Sequence, residues 1–210
     1  MMTLILLAVL ISAYLMAIAR RAPSLLANFR YQSFLLFLIT LINGLSGRHI
    51  ELCLVAILIL VLKVFLIPHF LDVTARRINV DENLGLIINS QLSLVAALVV
   101  TYFSWSFSRG LVFGHENSLI AATVSLSTVF IGGFIMISRM KALAQVAGLL
   151  VMENGIFLLA TSVAGEMPFF VEISVFFDVF VSVIVMGLFV YRINRLFTHI
   201  DVNKLSELKG

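Results

Sequence analysis

Seven apolar runs, at about 2–19, 32–47, 50–70, 84–106, 118–138, 142–164 and 168–191, take up most of this 210-residue sequence. A helix that crosses a bilayer needs roughly 20 apolar residues. Only helices and closed barrels satisfy their backbone groups inside lipid. Runs of this length and continuity therefore predict an all-α integral membrane protein of about seven transmembrane helices. Composition agrees: 61% of residues are hydrophobic and 12% charged, against about 45–50% and about 25% in soluble domains.

Turn and breaker chemistry separates the runs. Ala22-Pro23-Ser24 is expected to end the first. Gly44 to His49 turns the second into the third. Arg76-Arg77-Ile78-Asn79, Arg109-Gly110, Arg139-Met140-Lys141 and Gly165-Glu166-Met167-Pro168 follow the next four. A polar cluster at 107–117 suggests a division into an N-terminal four-helix region (1–107), a C-terminal three-helix region (108–191) and a tail (192–210). Met1 to Ala19 has no basic start and no A-x-A site, so it reads as a span and not as a cleaved signal.

The basic residues alternate with the runs. Arg20, Arg21, Arg30, Arg76, Arg77, Arg139, Lys141, Arg192, Arg195, Lys204 and Lys209 fall on one side, and Arg48 and Arg109 on the other. The positive-inside rule then places the N-terminus outside, in the periplasm if the cell is bacterial, and the tail in the cytoplasm. The net charge of +3 is explained by this distribution, without nucleic acid. The single cysteine, Cys53, excludes an internal disulfide and a Cys-ligated iron–sulfur cluster.

Ionisable residues inside spans are rare because they are costly, and they mark functional sites or polar pairs. Here Glu153 lies in the sixth run and Asp178 in the seventh. They sit about twelve and about thirteen residues from the cytoplasmic ends, so ~18 and ~20 Å deep at 1.5 Å per residue. The two runs are joined by a short turn, which predicts antiparallel neighbours with acids at matching depth. One reading makes both acids stations on a proton path. The other makes them protonated hydrogen-bonding glue between helices. Lys63 is a third charge, about two turns from the cytoplasmic end of its run. It either snorkels to the interface or relays protons, with Asn89 and Gln91 as candidate polar neighbours. His69, after Pro68, reads as interfacial first and as a relay second. Glu172 lies near the outer boundary, either solvated or marking a proton exit.

The remaining polar residues read more simply. Ser125, Ser127, Thr128, Gly132 and Gly133 suit close helix packing. His49, His115 and His199 are too scattered to pair as haem ligands. The phenylalanines read as lipid-facing bulk. No P-loop, dinucleotide fingerprint, nucleophile triad or metal-ligand cluster is present, so no catalytic, cofactor or metal site is expected in this chain.

Four segments together resemble the hydrogenase-4 component E family of membrane subunits, found in group 4 [NiFe] hydrogenase and formate hydrogenlyase-type complexes. They are Lys63-Val64-Phe65-Leu66-Ile67-Pro68, Met152-Glu153-Asn154-Gly155, Val171-Glu172-Ile173 with Asp178, and the tail from Asp201 to Gly210. The last three runs are also similar to the K-type subunit of complex I and the C-type subunit of multisubunit sodium/proton antiporters. Those carry an acid on the second helix, an acid on the third, and a tail like Ser206-Glu207-Leu208-Lys209-Gly210. One departure is visible. The K-type pattern is G-L-E, whereas this chain has Gly148-Leu149-Leu150 and its glutamate three residues later. The resemblance implies a non-redox subunit in the proton-translocating arm of a complex I-related assembly. Antiporter-like membrane subunits would be its neighbours. A peripheral oxidoreductase module on the cytoplasmic side would hold the nickel–iron centre and iron–sulfur clusters. The alternatives are a subunit of a cation/proton antiporter without a redox arm, or a purely structural membrane scaffold.

Overall fold

The computed structural model describes residues 2–47, 50–77, 87–111 and 116–163. Every regular element among them is helical: α1 (Met2–Ile18), α2 (Ala22–Gly47), α3 (Ile50–Ile59), a π-helical segment (Leu60–Leu66), α4 (Ile67–Arg77), α5 (Ser90–Leu111), α6 (Glu116–Ser138) and α7 (Ala142–Val163). Because α3, the π segment and α4 run on without a break, they form one rod. Five of the resulting rods are long and apolar enough to cross a membrane, and α1 is a shorter apolar helix. The protein is an all-α, multi-pass integral membrane protein. The seventh run, 168–191, lies outside the described residues.

Two helix starts differ from the sequence expectation. The second span begins at Ala22, not near residue 32, so Ala22-Pro23-Ser24 opens α2 instead of merely ending α1. Proline is accepted in the first turn because its missing N–H has no intrahelical acceptor there. The polar Asn28 and Arg30 diluted the hydropathy of this stretch. Yet Ala22, Leu25, Leu26 and Phe29 form a buried helical stripe. In the fourth span the helix starts at Ser90, not near 84. Asn89 caps it: its Oδ1 accepts from the Ser90 N–H at 3.1 Å, and its carbonyl accepts from the Ser93 N–H at 2.9 Å.

The π segment has a local cause. Pro68 cannot donate a backbone hydrogen bond, and its ring crowds the carbonyl four residues earlier. Just before it, the Ile67 N–H reaches back five residues to Leu62 O, the wider π pattern. One extra residue in a ladder turns the rest of the helix by about 100°. Within this segment the side chain of Lys63 faces the protein interior.

Helices α6 and α7 pack backbone to backbone. A Cβ at Gly148 would lie 2.8 Å from Gly132 O, and one at Gly155 would lie 2.6 Å from Val129 N. Only glycine permits that approach, the small-residue packing expected of spans. Gly133, grouped with Gly132 on sequence grounds, faces open space. Ser125, Ser127 and Thr128 donate to their own helix carbonyls at 2.6, 2.6 and 2.8 Å. Their hydroxyls are thus satisfied within α6.

Arg139, between α6 and α7, is 1% exposed. Its Nη2 donates to Ala17 O at 2.6 Å and more weakly to Met16 O at 3.5 Å. These are last-turn carbonyls of α1, where Met16 O also accepts from the Ala19 N–H at 3.3 Å, and a cation there meets the negative end of the helix dipole. Burial lowers the guanidinium pKa from its ordinary value, but arginine stays charged in proteins.

Two apolar clusters fill the bundle. One contains Ala13, Phe29, Ile67, Ile131 and Val151; the other contains Val9, Leu36, Ile59, Val124 and Phe157. Phe29 and Phe157 are fully buried, so not all phenylalanines face lipid. Phe65, Phe103, Phe107 and Phe130 are exposed, as expected of lipid-facing bulk.

Candidate functional site

Between the two apolar clusters lies a polar layer. Along α1, Ser12 falls between Val9 and Ala13. Along α2, Gln32 and Ser33 fall between Phe29 and Leu36. Lys63 falls between Ile59 and Ile67, and Glu153 and Asn154 fall between Val151 and Phe157. Each of these six polar residues is at most 2% exposed. Four rods thus bring their buried polar residues to one level of the bundle.

Lys63 is the centre of the layer. Its Nζ lies 3.6 Å from Glu153 Oε1 and donates to Asn154 Oδ1 at 3.1 Å. The ammonium also lies 6.0 Å from the centroid of the Phe157 ring, within cation–π range. Asn154 passes the connection on. Its Nδ2 donates to Gln32 Oε1 at 3.1 Å and to Ser33 Oγ at 3.4 Å. Gln32 Nε2 then donates to Val9 O at 3.5 Å, and Ser12 Oγ donates to the same carbonyl at 2.6 Å. The result is one string of polar groups from Glu153 through Lys63, Asn154 and Gln32 to the backbone of α1.

The energetics favour keeping both charges or neither. Removing one partner of a buried ion pair leaves an uncompensated charge, at about 3–5 kcal/mol. Opposite charges 3.6 Å apart in a water-poor layer attract far more strongly than in water. A proton gained or lost by one member therefore changes the force on the other. That is the chemistry this arrangement can perform: the protonation state of a carboxylate coupled to the position of a lysine, inside a span.

Of the sequence-predicted residues, Lys63 and Glu153 are brought together. The burial of Lys63 corrects the snorkelling alternative, because its stem turns inward to a carboxylate and an amide. Asn89 and Gln91 are exposed near the start of α5, and the Lys63 contacts described above are with α7. That expectation rested on linear depth, and the neighbours of Lys63 come instead from α7. His69 is exposed on α4, its ring roughly perpendicular to that of Phe70 at a centroid distance of 6.2 Å. Asp178 and Glu172 lie outside the described residues. Sequence reasoning missed Gln32, Ser33 and Asn154 as members of the site. A signal existed for two of them: Gln32 interrupts an apolar helix face, and Asn154 adjoins the buried glutamate. Among the described residues no group of three or more His, Cys, Asp or Glu side chains is arranged to hold a metal ion.

Comparison with known proteins gives three informative relatives. An uncharacterised protein of Mycobacterium tuberculosis is 28% identical over 184 residues, 85% of this chain and 82% of the relative. Hydrogenase-4 component E of Escherichia coli K12 is 32% identical over 150 residues, 70% of this chain and 69% of the relative. The protein of the same name in Shigella flexneri matches with the same figures. No family model and no solved structure matches the chain.

Proposed function

The chain belongs to the hydrogenase-4 component E family, and from that premise we propose that it is the membrane subunit of a hydrogenase complex in which the Lys63–Glu153 pair takes part in proton transfer across the bilayer. The observation that carries the reading is the buried pair itself, 3.6 Å apart and continued by Asn154 and Gln32. Nothing in lipid rewards two buried charges held at one level, so their retention fits a task that needs mobile charge. The subunit does no redox chemistry. Electron transfer and any nickel–iron or iron–sulfur centre belong to partner subunits on the cytoplasmic side, and antiporter-like membrane subunits flank it. In this reading the N-terminus faces outside, and Asp178 of the seventh run is a second station. His69 and Glu172 remain candidates for the ends of the route.

The test compares assembly with pumping. Glu153→Gln and Asp178→Asn keep volume and hydrogen-bonding capacity but cannot exchange a proton. Vesicles with matched amounts of complex should take up protons at least about tenfold more slowly with Glu153→Gln, a bound set below the about 10²–10⁴-fold that a positioned proton-transfer group contributes in catalysis. Asp178→Asn should lose less, because its match to the family pattern is looser. Normal pumping in both would leave the purely structural scaffold as the function.

A further inference from the structure

A cavity of about 290 Å³ lies at the end of the bundle where α1 starts and α7 nears its end. It is lined by Thr3 and Leu6 of α1, Asn43 of α2, Ser118 and Ala121 of α6, and Thr161 of α7. Four of these side chains are polar, and a site that holds water needs such partners together with room, about 30 Å³ for each molecule in the liquid. Thr161 donates to Phe157 O at 3.0 Å and to Leu158 O at 3.3 Å. Its oxygen therefore remains an acceptor.

The cavity adjoins the apolar cluster around Phe157. Leu6 and Ala121 line it and also belong to the apolar cluster that holds Phe157. On α7, Glu153, Phe157 and Thr161 are spaced four apart, so they follow one another along one helix face. Eight residues of rise, ~12 Å, separate the cavity residue from the glutamate. Phe157 comes between them along the helix; it is 1% exposed, and its ring centroid lies 6.0 Å from the Lys63 ammonium. We propose that this cavity is the vestibule through which water and protons from the N-terminal side reach the Lys63–Glu153 pair, and that Phe157 is the gate that closes it. The proposal rests on the proton-transfer reading above. Hydrophobic constrictions gate by excluding water, and an aromatic side chain needs only a rotamer change to admit it. With the ring displaced, a hydronium ion in the cavity gives its proton through bridging water to the Glu153 carboxylate. An O–H bond forms on Glu153 and water is left behind. Release toward the other side breaks that bond.

The experiment uses the assembled complex with Cys53→Ala as background, so that introduced thiols are the reactive ones in this subunit. Thr161→Cys and Asn43→Cys are treated in intact cells and in inverted vesicles with a charged, membrane-impermeant methanethiosulfonate reagent. Leu98→Cys, exposed within the α5 span, is the control. Both cavity thiols should react in intact cells, Leu98→Cys should not, and labelling at Thr161→Cys should slow proton uptake. Absence of reaction at both cavity positions, or reaction only in inverted vesicles, overturns the vestibule. In parallel, Phe157→Ala should raise passive proton leak several-fold and Phe157→Leu should not, with the leak abolished by adding Glu153→Gln. An assembled Phe157→Ala complex as proton-tight as the wild type overturns the gate. The two levels separate cleanly. Unchanged pumping in Glu153→Gln sinks the underlying reading, whereas impaired pumping there with inert cavity thiols sinks only the vestibule.

Discussion

Lys63 and Glu153 are each unfavourable alone at this depth and acceptable together. A single substitution should therefore do more harm than a double one. Lys63→Met strands the carboxylate, at about 3–5 kcal/mol for a broken buried pair, and should lower both the amount of assembled complex and its pumping. Lys63→Arg keeps a charge that hardly ever leaves, so assembly should hold while pumping falls. Lys63→Met with Glu153→Gln should recover assembly but not pumping. Quantifying assembled complex on native gels beside proton uptake checks all three, and full pumping by Lys63→Met would reject the relay. Both charges were legible in the sequence, because an ionisable residue inside an apolar run stands out without any structure. Their pairing was not. Lys63 and Asn154 are 91 positions apart, and which helix faces which is decided by packing. Counting residues along spans pointed to Asn89 and Gln91, which are exposed at the start of α5.

At the scale of elements, hydropathy located the rods but not their ends or faces. The amphipathic start of α2 was hidden by Asn28 and Arg30, since a window averages both faces of a helix. The π segment was invisible because Pro68 alone gives no sign of how the ladder before it will adjust. Glycine faces were half legible. Gly132 packs against α7 while Gly133 does not, and only the neighbour's position distinguishes them. This yields a paired prediction. Gly155→Ala places a methyl 2.6 Å from Val129 N, must separate α6 from α7, and should cost about 1–3 kcal/mol as overpacking does. Gly133→Ala should leave the seam unchanged. Thermal unfolding of the detergent-solubilised complex measures both, and equal midpoints would contradict the seam. Arg139 gives a second test of element ends. Arg139→Gln removes a charged donor from the last carbonyls of α1 and should destabilise by about 1.5–3 kcal/mol, the range for hydrogen bonds to charged groups. Because arginine keeps its proton, this loss should be the same from mildly acidic to mildly basic pH.

Among the described residues the molecule is a helical bundle in which four rods meet at one polar layer between two apolar clusters, with exposed apolar side chains around it. The all-α membrane class and the family were legible in composition, run length and four short segments. The layer was not, since it exists only when α1, α2, the π segment and α7 are assembled. The proposed orientation rests on eleven basic residues on one side against two on the other. In a Cys53→Ala background, Ser46→Cys should react with an impermeant thiol reagent in intact cells, and Ser206→Cys, in the tail beyond the described residues, should not. The reverse pattern would invert the topology. The central claim is that Glu153 changes protonation as the complex turns over. Infrared difference spectroscopy of the assembled complex, poised and then triggered by its reductant, reads the carboxyl stretch directly. The account predicts a turnover-linked carboxyl band in the wild type that is missing from Glu153→Gln at equal assembly; identical bands in the two would contradict it.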